Sequence, residues 1–129
     1  MNGNTEDKLQ IIELSARYAL AMDEHNVEQW MQTWCDDGKW EGGLGVYKGK
    51  DSLPNLLRDL GERNESRRHV ITNNVIDFIS PIEAEQTCYM QILAYKGGCK
   101  LVATAVYRDR LHKVEGRWLF LHRKMSLDS

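Results

Sequence analysis

The stretch "SRRHVITNNVID" (residues 66–77) is rich in Val and Ile, as a β-strand would be, yet it carries His69 and a pair of asparagines. Imidazole is the side chain that exchanges a proton near neutral pH, so a histidine in a pocket can act as a general base; a strand histidine can equally be structural. Three further residues stand out. Asp23 ends a helical run on the stripe of Ile12, Ala16 and Ala19, where the helix macrodipole disfavours a carboxylate by ~0.3–1 kcal/mol. Either a cation or strong donor compensates it, or it lies past the helix in solvent. Tyr18 falls on the neighbouring stripe with Ile11, Ser15 and Met22, where a core tyrosine keeps its hydroxyl at the rim. Arg123 shares strand parity with Leu119, Leu121 and Met125, so its guanidinium either enters an apolar side or snorkels from the strand end. Trp118 and Phe120 take the other parity, and the pattern leaves open which side faces a pocket. His25, His112 and His122 lie in a polar turn, near a hairpin and beside aromatic residues, and receive no role.

The elements that must position these groups can be read from periodicity. Leu9, Ile12, Ala16, Ala19 and Asp23 predict a helix over residues 5–24 with these residues on its inner face. Asn26 followed by Gln29 signals the cap of a short second helix, over residues 26–34. The glycines of "DDGKWEGGLGVYKGK" predict a turn and a short, interrupted strand. Leu53, Leu56, Leu57 and Leu60 predict a third helix over residues 50–61, with Pro54 tolerated in its first turn. Three further strands follow the His69 stretch, over residues 84–95, 100–113 and 117–125, joined by "KGG" and "VEG" turns suited to hairpins. Helices first and antiparallel strands afterwards imply one α+β domain spanning residues 1–129, its helices packed on one face of a curved sheet. Such a sheet leaves a concave pocket for a small molecule.

Composition narrows the function. The 129 residues suffice for one core, and 42% hydrophobic with 28% charged residues is ordinary for a globular chain. A net charge of −2 and a pI near 6.1, with no basic stripe, argue against nucleic-acid binding. The polar start "MNGNTEDK" lacks the apolar run of a secretory leader, and no stretch approaches the ~20 apolar residues of a membrane span. Cys35, Cys88 and Cys99 are odd in number and form no CxxC pair, which fits a reducing cytoplasm and small core residues. No metal-ligand spacing or phosphate loop is found, so no metal and no cofactor is expected.

"ARYALAMDEHNVEQWMQTWCDDGKWEG", "GVYKG", "RHVITN" and the final "VYRDRLHKVEGRWLFLHR" together resemble the SnoaL-like branch of the NTF2-like superfamily, over nearly the whole chain. The resemblance implies a cone-shaped barrel: a curved, mixed, mainly antiparallel sheet with N-terminal helices in its concave face. The pattern is closest to hexachlorocyclohexane dehydrochlorinase, scytalone dehydratase and bile acid 7α-dehydratase, which use a histidine–aspartate dyad. By that resemblance His69 is the general base and Asp23 its partner. Tyr18 matches a tyrosine of the bile acid dehydratase, and Arg123 an arginine the dehydrochlorinase uses near its leaving group. Tyr89 or a neighbour stands where scytalone dehydratase has a second pocket histidine, a departure from a strict scytalone-type mechanism.

The expected chemistry is a cofactor-independent β-elimination, most simply dehydration, of a small apolar ring-containing substrate. His69 removes a proton, Asp23 orients it, Tyr18 donates to the departing group and Arg123 steadies negative charge. Trp34, Trp40, Val75 and Tyr89 are the expected substrate-binding lining. The alternatives are a ketosteroid-isomerase or polyketide-cyclase type of proton transfer with the same base, and a non-catalytic ligand-binding or assembly module. The resemblance also implies a homodimer or homotrimer formed through the outer sheet face.

Overall fold

The computed structural model describes residues 2–128. The chain begins with helices α1 (Asn2–Asp23) and α2 (Val27–Met31). Strands β1 (Trp34–Gly42) and β2 (Gly45–Lys48), helix α3 (Leu53–Leu60) and a one-turn 3₁₀ helix (Gly61–Asn64) follow. Four long strands finish it: β3 (Arg67–Ser80), β4 (Glu83–Ala94), β5 (Lys100–Val114) and β6 (Arg117–Leu127). The sheet runs β2-β1-β6-β5-β4-β3. Only β1 and β6 pair in parallel; the other neighbours are antiparallel. The sheet does not close, since β2 and β3 form its two edges. Helices α1 and α3 cover one face, and the core lies between. Among the described residues no helix is long and apolar enough to cross a membrane.

Two helical expectations change. The buried face of α1 is Ile11, Leu14, Ser15, Tyr18, Ala19, Ala21 and Met22; of the expected stripe Ala19 is buried, whereas Leu9, Ile12 and Ala16 are exposed. The stripe that looked secondary is the inner one because Tyr18 fills the aromatic core, against Trp30, Trp34, Tyr107 and Phe120. Helix α2 ends at Met31, before the expected residue 34. Its cap forms as read, with the Gln29 N–H donating to Asn26 Oδ1 at 3.1 Å. Beyond it, the Thr33 carbonyl accepts the Phe120 N–H at 2.9 Å, and Trp34 already pairs with β6. The sheet claims these residues from the helix.

Two of the sheet's β-bulges decide which side chains of β3 and β6 face inward. In β3 the pairing steps from Thr72 opposite Tyr89 to Val75 opposite Thr87, so the two asparagines of that stretch face a single residue. Asn73 takes φ 58°, a left-handed conformation that asparagine tolerates better than most residues. The inward set therefore runs Arg67, His69, Ile71, then Asn74, Ile76 and Phe78. In β6 the register passes from Phe120 opposite Leu111 to His122 opposite Arg110, skipping Leu121. Trp118, Phe120, Arg123 and Met125 thereby share the inner side, although the numbering changes from even to odd between Phe120 and Arg123.

Arg123 is completely buried. Its Nε donates to Asp109 Oδ1 at 2.9 Å and its second guanidinium nitrogen to Oδ2 at 3.1 Å. Gln86 Nε2 donates to the same carboxylate at 2.9 Å, and Asn74 Nδ2 to Gln86 Oε1 at 2.9 Å. Burial pushes the Asp109 carboxyl upward, while Arg123 and Gln86 pull it back. Asp109 in turn holds Arg123 firmly protonated against its own desolvation. Removing one partner of such a pair strands a buried charge, so Asp109→Asn should cost about 3–5 kcal/mol in urea unfolding. The double variant Asp109→Leu/Arg123→Met, which removes both charges, should cost less than that single change.

Cys35 and Cys88 are buried as expected, but Cys99 is exposed in the β4–β5 turn, where no core reaches it. Burial lifts both inner thiols to about 11, with Asp37 and Asp36 adding to the effect at Cys35. At pH 8 few of these two thiols are ionised, so an aromatic disulfide reagent should titrate one thiol per native chain and three after unfolding.

Candidate active site

Asp23 owes its place to the way α1 stops. The N–H of Asn26 donates to the Ala21 carbonyl at 2.9 Å and that of His25 to the Met22 carbonyl at 3.1 Å. This is the Schellman closure, with His25 at φ 55° in the left-handed position usually held by glycine. Asp23 is thus the last helical residue, held at a fixed point on the inner edge of the sheet. His25, assigned no role from sequence, is the residue that ends the helix.

His69 meets it from β3. The His69 Nδ1 lies 2.6 Å from Asp23 Oδ1. The backbone N–H of His69 also donates to the same carboxylate, at 3.0 Å to Oδ2 and 3.2 Å to Oδ1. A carboxylate only accepts, so the Nδ1 carries the hydrogen and, in the neutral ring, Nε2 holds the free lone pair. Both side chains are largely shielded, at 5% exposure for His69 and 16% for Asp23. The donors offset the unfavourable placement of a carboxylate at a helix C-terminus.

The ring forms part of the wall of a cavity of about 360 Å³ between the helices and the inner sheet face. Apolar side chains dominate its lining: Met22, Trp40, Leu60, Met90, Ile92 and Met125 among others. The polar or charged lining side chains are His69, Tyr107, Arg63 and Arg67. With Nδ1 turned to Asp23, the Nε2 edge of the imidazole is the one left for the cavity. Among the described residues, no three His, Cys, Asp or Glu side chains group together in a way that could hold a metal ion.

The structure brings Asp23, His69 and Trp40 to this site; the other expected residues lie elsewhere. Tyr18 is only 1% exposed and packs behind the cavity wall, its ring 4.5 Å from the Arg123 guanidinium. Its hydroxyl meets no partner in good geometry, and burial, reinforced by the neighbouring Tyr107, raises it well above the ordinary phenol range. Arg123 is consumed by Asp109 and by stacking on Tyr107 at 3.6 Å, so it does not reach the cavity. Trp34 is buried in the aromatic core rather than the lining. Val75 and Tyr89 face outward, at 61% and 48% exposure, because the bulge at Asn73 reverses parity after Thr72 and Tyr89 opposes Thr72.

Tyr107 is the hydroxyl that the sequence reading missed. It shares the inner parity of β5 with Ala105 and Asp109, a signal visible in "ATAVYRD" once Asp109 is recognised as buried. Burial pushes its hydroxyl up to about 12, with the Arg123 charge acting in the opposite direction.

The fold and sequence place the chain among known proteins. A structure from Nostoc punctiforme, described as a protein of unknown function with a cystatin-like fold, is 28% identical and superimposes with a TM-score of 0.89, covering 95% of this chain and 91% of that one. A putative scytalone dehydratase from Novosphingobium aromaticivorans is 20% identical with a TM-score of 0.84, covering 99% and 88%. A hexachlorocyclohexane dehydrochlorinase from Novosphingobium barchaimii is 20% identical with a TM-score of 0.83, covering 98% and 90%. No curated protein matches the chain. The SnoaL-like domain family model matches residues 3–124. Nearly its whole length is accounted for in this way, and the chain belongs to the SnoaL-like domain family.

Proposed function

We propose that the protein is a lyase that eliminates a leaving group, most simply water, from a small, largely apolar substrate, with His69 as general base. The observation that carries this reading is the 2.6 Å contact between His69 Nδ1 and Asp23 at the wall of an apolar cavity. Nε2 takes a proton from a substrate carbon. The C–H electron pair becomes the new double bond, and the bond to the leaving group on the adjacent carbon breaks. The imidazolium so formed is stabilised by Asp23, whose carboxylate already holds the ring in the required tautomer. Tyr107 takes over the role expected of Tyr18 and donates its O–H to the departing oxygen. When the leaving group is hydroxide, the proton gained by His69 passes on to complete water.

Arg123 then acts as a positioning residue, through the face of Tyr107, rather than by touching the leaving group. The fold relation to a protein described as a putative scytalone dehydratase and to a dehydrochlorinase, both named for eliminations, supports the reaction type. An open cavity of this size also favours a ligand-binding role over a cone filled by its own side chains.

Two measurements test this. At pH 8 a long-range ¹H–¹⁵N spectrum should show His69 with its hydrogen on Nδ1, and Asp23→Ala should abolish that preference. A mixed tautomer in the wild-type protein would remove the basis of the proposal. In a screen of hydroxylated ring compounds, product mass should show loss of water. His69→Ala should lower turnover by about 10²–10⁴-fold with an unchanged circular dichroism spectrum, and Tyr107→Phe should lower kcat more than it raises KM. Products of unchanged mass would assign the same base to an isomerase instead.

A further inference from the structure

The lining of the cavity carries an uneven charge. Arg63, from the 3₁₀ turn after α3, and Arg67, from the first position of β3, both border it. Among the described residues no lining side chain is acidic, and Asp23 is already engaged with His69. Among the described residues neither guanidinium takes part in an ion pair or a side-chain hydrogen bond, although other arginines of the chain do, such as Arg17, Arg110 and Arg123. Arg68, between them and His69 in sequence, points the other way and stacks on Tyr95 at 4.9 Å. The two arginines therefore stand at the edge of an apolar chamber, and among the described residues no carboxylate pairs with either.

From this geometry we infer that the substrate is amphipathic: an apolar, ring-sized body carrying an anionic oxygen group, a carboxylate or phosphate, which Arg63 and Arg67 hold at the end of the cavity. Guanidinium forks match such groups in geometry; Arg67 is half-buried against the apolar wall, where the contact is stronger than in water, and Arg63 is exposed at the rim. Arg67 and His69 share one face of β3, two residues or about 6.6 Å apart along the strand. An anion on Arg67 thus sets the reacting C–H bond opposite His69 only a few bonds from the charged group. The inference deepens the lyase reading by naming its substrate class, but the binding it requires can be measured without turnover.

The probes are 2-naphthoate, 2-naphthyl phosphate and the uncharged 2-naphthamide, titrated calorimetrically into the full chain. At least one anion should bind about tenfold or more tightly than the amide, and the tighter of the two identifies the oxygen group. Added salt should weaken the anion and leave the amide unchanged. The Arg63→Gln/Arg67→Gln variant should lose most of that preference, while His69→Asn should keep it. Equal binding of anions and amide, no binding of either anion at millimolar concentration, or a preference that survives loss of both arginines would overturn the inference. So would a preference lost with His69→Asn, since the imidazole would then be the anion's partner. An inactive protein that still shows the arginine-dependent preference would sink the lyase reading and leave this one standing.

Discussion

One carboxylate joins the two halves of this molecule. Asp23 accepts from both the backbone N–H and the ring Nδ1 of His69, residues 46 positions apart in sequence. Charge-assisted hydrogen bonds of this kind contribute on the order of 1.5–3 kcal/mol each. The backbone contact matters as much as the ring contact. It fixes the distance between the end of α1 and the start of β3, so that the carboxylate stays within reach of the imidazole. The Schellman closure at His25 supplies the other constraint, because it ends the helix at Asp23 and turns the chain away toward α2. Architecture and candidate chemistry thus rest on the same three hydrogen bonds.

Much of the fold was legible in the sequence because most of its signals are local. The capping pair Asn26 and Gln29, the leucine stripe of α3 and the turns at "KGG" and "VEG" each involve neighbours within a few residues, and each formed where expected. Asp23 and His69 stood out as polar groups in apolar patterns, but periodicity left Asp23 open between a partner and solvent, and it was the family resemblance that paired them. The inner stripe of α1 was misjudged because two stripes of similar hydrophobicity compete there, and only the aromatic core that receives Tyr18 decides between them.

The lining was the least legible part, and the bulges explain why. Alternation assigns a strand's side chains to faces only while the register is unbroken. With one extra residue at Asn73, Val75 turned from the cavity to solvent; with one at Leu121, Arg123 joined the face of Phe120. The asparagine pair held a clue, since Asn is among the few residues that adopt positive φ readily, but a strand pattern alone gives no reason to place a bulge between two particular residues. Arg63 and Arg67 were hidden for the opposite reason: in "ERNESRRH" they read as part of a solvated run of mixed sign. Only the fold shows that these two guanidiniums border the chamber.

The inner face divides its polar groups into two zones with different work. Beneath α1, Ser15, Gln86 and Asp109 close a buried network around Arg123, with Gln86 Nε2 donating to Ser15 Oγ at 3.2 Å as well as to Asp109. None of Ser15, Gln86, Asp109 and Arg123 lines the chamber, yet Tyr107 stands between network and chamber with Arg123 stacked on its ring. That placement gives a costly buried ion pair a use. A guanidinium against the face of a phenol restricts the ring and draws charge from it, offsetting part of the burial that would otherwise make the hydroxyl a poorer acid. The arginine therefore acts on the chamber wall through a neighbour. A longer side chain in direct contact with substrate would be easier to build, but it would have to be desolvated at each binding event. Here that desolvation is completed once, during folding.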